Sequence, residues 1–101
     1  MTFLERNADL PQAITNSTIL SSGQKGILNI LIQFDAGISI SKIMELMNSS
    51  KQTIHFNLKK LMERDYILRK KEMVYIYRIN QKKLLEILAR EVQSQKATLL
   101  R

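Results

Sequence analysis

Between positions 27 and 34 the apolar residues Ile27, Leu28, Leu31, Ile32 and Phe34 recur at helical spacing, which predicts a helix with a broad stripe turned toward a core. Ser21 or Ser22 is placed to cap it, the helix runs to about Asp35, and Gly37 ends it. The β-branched run "ISI" at 38–40 then predicts one brief strand. Ser41 caps a following helix over "KIMELMN", with Ile43, Leu46 and Met47 on one face, and "NSS" at 48–50 breaks it. Another helix begins at once. Its cap is Ser50, or Ser49 with Gln52 three positions on as a capping box, and Ile54, Leu58, Leu61 and Met62 form its inward stripe. Arg64 to Tyr66 stop it. The period then changes from helical to alternating: "YILRKK" leads through Glu72 and Met73 into "VYIYRI", where Tyr75, Tyr77 and Ile79 share one face. This predicts a β-hairpin with a basic tip and with both tyrosines in its core. Asn80 caps a last helix carrying Leu84, Leu85, Ile87, Leu88 and Val92. The first twenty residues are less regular. Phe3, Leu4 and Leu10 suit a short helix, Pro11 suits the opening of a second, and "TNST" at 15–18 is a poor helix former.

Composition narrows the picture. A chain of 101 residues, 45% hydrophobic, suits one domain with a single modest core. The absence of cysteine excludes disulfides, thiolate metal sites and cysteine nucleophiles. One histidine excludes a multi-histidine metal site within one chain. No nucleophile or glycine-rich loop accompanies His55, so no catalytic residue, cofactor or metal is expected and the chain is read as a non-enzyme. "MTFLERNADL" lacks the pattern of a signal peptide, and no apolar run approaches a membrane span. A soluble, cytoplasmic protein with no membrane partner is the expectation.

The net charge of +7 is informative through its placement. Ten basic residues and three acids fall between Lys51 and Lys83, against six and six in the rest of the chain. A surface built for solubility mixes signs more evenly, whereas a localised excess fits a polyanion partner, either nucleic acid or an anionic membrane. The excess begins on the helix opened by Ser50. Its solvent face carries Gln52, His55, Phe56 and Lys59 in place of plain charge. An amide, an imidazole, a phenyl ring and an ammonium side by side suit the edges and methyl groups of bases.

The predicted order is helix, short strand, helix, tight turn, helix, hairpin, helix, which makes a winged helix-turn-helix. "ISISKIMELMNSSKQTIHFNLKKLMERDYILRKKEMVYIYRIN" at 38–80 resembles that domain in the bacterial ArsR and MarR transcription repressors. The likeness runs through Ser50, the pair Thr53-Ile54, Leu58 with Leu61, the helix end at Asp65-Tyr66-Ile67 and the closing "YRIN", and "LSSGQKGILNILIQ" resembles the helix leading into the motif. Asp65 stands where these families have glycine, and aspartate tolerates the left-handed backbone. The metal-sensing cysteines of ArsR members and the Asp-x-Arg wing motif of MarR members are absent.

The expected architecture is therefore mainly α with a small β-hairpin wing (α+β). A winged helix-turn-helix spans 21–80, between an N-terminal helical segment 1–20 and a C-terminal helix 81–101 that serve dimerisation. The expected function is sequence-specific double-stranded DNA binding as a transcriptional repressor. Helix 50–64 reads the major groove through Ser50, Lys51, Gln52, Thr53, His55, Phe56, Lys59 and Lys60, and wing 67–79 meets phosphates or the minor groove through Arg69, Lys70 and Lys71. Leu84, Leu85, Leu88, Val92 and Leu99 are expected to join a homodimer. The competing reading is a winged-helix protein-interaction module whose basic face meets an acidic partner within a larger assembly.

Overall fold

The computed structural model describes the backbone of residues 10–99 and the side chains of residues 10–91. The expected helix around Phe3 and Leu4, and the dimerisation roles expected of Val92 and Leu99, lie outside those described residues. Helix α1 (Leu10–Asn16) carries Pro11 in its first turn and buries Leu10, Ala13 and Ile14. It stops within the polar run "TNST". Helix α2 (Ser22–Leu31) is opened by a capping box, in which Ser21 Oγ accepts from Gln24 N–H and Gln24 Oε1 accepts from Ser21 N–H.

α2 ends about a turn earlier than the apolar spacing predicts. Tighter bonds replace the helical ladder, Gln33 N–H to Ile30 O and Phe34 N–H to Leu31 O. Gly37 completes the turn at φ +88°, and a Cβ there would lie 2.8 Å from Tyr77 O. Only glycine lets strand β1 (Ile38–Ser39) come this close to strand β3 (Tyr75–Ile79), with which it pairs antiparallel. Ile40 is the first residue of helix α3 (Ile40–Leu46) and no part of the strand, and the cap is Ser39, not Ser41: Ser39 Oγ accepts from Lys42 N–H. Strand pairing ends at Ser39 and leaves that residue extended, the backbone a cap requires. Ile43 is fully buried in α3 and Met47 half-buried, but Leu46, expected on the same inward face, is exposed.

Helix α4 (Lys51–Glu63) takes Ser50 as its cap, with Ser50 Oγ accepting from Thr53 N–H. Its end is a Schellman motif: Tyr66 N–H reaches Leu61 O, Asp65 N–H reaches Met62 O, and Asp65 takes the left-handed conformation at φ 60°. Strands β2 (Ile67–Lys71) and β3 form the hairpin, and the sheet order is β1-β3-β2. Asn80 joins the pieces. Its Nδ2 donates to Asp65 O at 2.9 Å and its N–H to Tyr66 O, while Oδ1 faces Lys83 N at the start of helix α5 (Gln81–Leu99).

One core fills the space between the helices and the inner face of the sheet, built on Ile14, Ile27, Leu28, Leu31, Ile43, Ile54, Leu58, Leu61, Tyr66, Ile67 and Tyr77. Leu84 and Leu88 belong to it, at 0% and 1% exposure. These two, expected in a dimer seam, are used by the chain's own core; Leu85 and Ile87 are only half-buried. Helical spacing marks a wide stripe on α5 but does not say which edge the domain itself covers.

A carboxylate holds the "TNST" segment against α5. Glu91 accepts from the Ser17 and Thr18 hydroxyls, at 2.8 and 2.7 Å, and from Thr18 N–H. Partial burial raises the pKa of Glu91, but the bonds from Thr18 and Ser17 outweigh it and hold the carboxyl below its ordinary value. Ser17 is itself buried.

Candidate nucleic-acid interface

The outward side of α4 follows from its inward one. Ile54, Leu58 and Leu61 sink into the core, so the helical repeat turns Lys51, Gln52, Thr53, His55, Phe56, Lys59 and Lys60 to solvent. All seven are exposed, as is the cap Ser50, and Phe56 is 60% exposed despite its phenyl ring. Lys60 Nζ lies 5.5 Å from the centre of that ring and 4.0 Å from Glu63. Ser50 Oγ, beside accepting from the helix, donates to Thr53 Oγ1 at 2.9 Å, so both hydroxyls serve the cap.

Sequence spacing did not show how closely α4 approaches α2. Asn57 is buried at 7% exposure on the side turned to α2, where Gly23 leaves room for it: a Cβ on Gly23 would sit 2.5 Å from Asn57 Nδ2. α2 and α4 approach closely at this point, with no side chain on Gly23 to hold them apart. An isolated asparagine in a polar stretch gives no sign of burial, because the signal lies in a glycine 34 positions away.

The hairpin departs from expectation at its end. Arg69, Lys70 and Lys71 are strand residues, paired with Tyr77, Ile76 and Tyr75 in register, and do not form the tip. The tip is Glu72-Met73-Val74, closed by a Glu72 N–H bond to Val74 O. Alternation puts Arg69 and Lys71 on the face shared with Tyr75 and Tyr77, and Lys70 on the opposite face with Ile76. Tyr77 is buried, but Tyr75, expected in the core, is 42% exposed. Arg69 lies 4.2 Å from the Tyr75 ring centre and Lys71 5.9 Å, so the ring serves as a platform for two cations. Period two assigns a face correctly but does not tell how far the ribbon runs past the core. Lys70 comes within 3.9 Å of Glu72, with both side chains largely exposed.

Among the described residues, no three His, Cys, Asp or Glu side chains group as metal ligands. No described helix is long and apolar enough to cross a membrane.

Residues 24–67 match the model of a family described as winged helix-turn-helix DNA-binding. No curated protein matches the chain in sequence. Solved structures resemble it in fold, among them three from different proteins. A protein of the thermoacidophilic archaeon Sulfolobus tokodaii shares 22% identity at a TM-score of 0.66, over 98% of this chain and 97% of that one. A MarR/EmrR family transcriptional regulator from Acinetobacter sp. ADP1 shares 19% identity at 0.59, over 92% of this chain and 69% of the other. A MarR family transcription regulator shares 16% identity at 0.60, over 93% of this chain, which spans 64% of that regulator's length. With α3, the turn and α4 followed at once by the β2-β3 hairpin, and with residues 24–67 matching that model, this chain has the winged helix-turn-helix fold.

Proposed function

We propose that the chain is a sequence-specific double-stranded DNA-binding transcriptional regulator, acting as a cytoplasmic repressor without metal or cofactor. The observation that carries this reading is the exposed face of α4, where Gln52, His55, Phe56 and Lys59 stand together beside Lys51 and Lys60. The match of residues 24–67 to a DNA-binding family supports it, as does the likeness in fold to two transcription regulators.

In this reading α4 enters the major groove with its N-terminal half against base edges. The Gln52 amide pairs with adenine, Lys59 reaches guanine or phosphate, and Phe56 packs on thymine methyl groups, where an exposed ring finds an apolar partner. Ser50, Lys51, Thr53, His55 and Lys60 line the same entry. Arg69, Lys70 and Lys71 meet phosphates and the minor groove from the wing. Segment 21–80 is the DNA-binding unit. Segments 1–20 and 81–101 join two copies through the edge of α5 that the core leaves open, at Leu85, so that two α4 helices address half-sites about one helical turn apart.

Selection of bound duplexes from a random library tests this reading. Gln52→Ala and Lys59→Ala are expected to change which bases are preferred, and Arg69→Ala or Lys71→Ala to weaken all sequences alike. Wing changes that reshape preference while α4 changes do nothing would overturn the assignment.

A further inference from the structure

We propose that the wing tip is an apolar wedge, with Met73 and Val74 entering the minor groove, prising a base step apart and bending the duplex. The proposal rests on the DNA-binding reading and adds to it a local action on the DNA.

Met73 is 100% exposed and Val74 57% exposed. Single apolar side chains on a surface are ordinary. Here two adjacent ones form the end of a ribbon, within the most basic part of the chain. The loop is too short to fold them back: Lys71 still pairs with Tyr75, and only Glu72, Met73 and Val74 lie beyond that rung. Past Tyr77, the last buried residue of β3, two rungs of the ribbon remain before the tip, roughly 7 Å at strand rise.

The cations around this tip lie on both sides of it. Arg69 and Lys71 flank Tyr75 on one face of the ribbon, and Lys70 stands on the other. A ribbon with positive charge on each face and an apolar end complements a groove walled by phosphates on each side and floored by stacked bases. Glu72 opposes this, but Lys70 lies 3.9 Å from it and the tip keeps a positive excess. An anionic lipid surface offers charge and apolarity too, but it is flat and would not need cations on opposite faces.

Size decides the consequence. The minor groove is about 6 Å wide, whereas a ribbon with side chains on both faces is about 10 Å thick, the spacing of packed sheets. The tip enters only if the groove opens, which bends the duplex toward the major groove; apolar wedges of this kind kink DNA by about 20–90°. Flexible steps such as TA give way most readily.

A duplex of about 30 base pairs recovered from a random library by the unmodified protein, with end labels for energy transfer, tests the wedge. The full chain is expected to shorten the end-to-end distance to a bend within about 20–90°. The double variant M73S/V74S is expected to lose most of the bend and to keep the salt dependence of binding, since no charge is removed. M73L, which keeps an apolar tip, is expected to retain the bend. Circular dichroism checks folding, and these side chains lie outside the core. A bound but straight duplex, or equal bending by M73S/V74S, overturns the wedge and leaves the DNA-binding reading standing. Recovery of no duplex removes both. Binding to phosphatidylserine vesicles that M73S/V74S abolishes, with no bending of DNA, assigns the tip to lipid and also overturns the wedge.

Discussion

Raising salt should release the protein from DNA along a slope that can be worked out from the wing and α4. Of the cations on these two elements, Lys51, Lys59, Lys60, Arg69, Lys70 and Lys71 are exposed and are the ones read as meeting DNA. Lys60 already has Glu63 at 4.0 Å and Lys70 has Glu72 at 3.9 Å, so these two cations are partly neutralised before DNA arrives. The remaining four per chain set the scale, and a dimer meets about five to eight phosphates, for a slope of about −4 to −7 in log affinity against log salt. Between 50 and 200 mM salt the affinity should then fall by about 250- to 16,000-fold. Lys71→Gln removes one such cation per chain and should make the slope of the dimer shallower by about 2. Lys70→Gln should change it less, because Glu72 is released with it, and Phe56→Ala should not change it. Fluorescence anisotropy with a labelled duplex at five or six salt concentrations measures all four proteins. A slope near zero, or one that Lys71→Gln leaves unchanged, would refute the electrostatic reasoning.

The other expectations concern the fold and the assembly. Glu91→Gln should lower stability by about 1 kcal/mol at neutral pH and Glu91→Ala by about 2, because Ser17 is left buried with a weaker acceptor or none. The Glu91 pKa is lowered in the folded state, so its contribution is complete above the ordinary carboxylate pKa and fades as pH falls through the lowered value. Urea titrations should show the gap between Glu91→Gln and the unmodified chain closing in acid, and a gap that widens would contradict the sign. Asp65 holds a left-handed backbone at φ 60°, so Asp65→Val should cost about 1–2 kcal/mol in thermal unfolding and Asp65→Gly should not. Light scattering at micromolar concentration should give twice the 11.7 kDa chain mass, and Leu85→Asp should halve it. Removing α5 altogether is a poor test, since it takes Leu84 and Leu88 out of the core. A monomer of the 101-residue chain that binds DNA tightly would defeat the dimer.

Most of the element order was legible in the residues, because burial imposes its own period on each segment. Ile54, Leu58 and Leu61 recur as a helix must bury them, and their positions alone turned Gln52, His55, Phe56 and Lys59 outward. Asn80 was readable as a cap and Ser50 as one of two candidates, since capping is a local bond, while the left-handed backbone at Asp65 was implied by the family resemblance. What escaped depends on contacts between distant parts of the chain. Pairing of β1 with β3 made Ser39 the cap in place of Ser41 and made Gly37 a point of close approach. Packing of α5 against the rest took Leu84 and Leu88 inside, and Glu91 reached Ser17 and Thr18 across more than seventy residues. The wing's basic residues proved to flank an apolar tip, and Tyr75 lay beyond the core, because alternation carries direction but not distance. Local period and capping are written within a few residues of one another; depth and reach exist only once the segments have met.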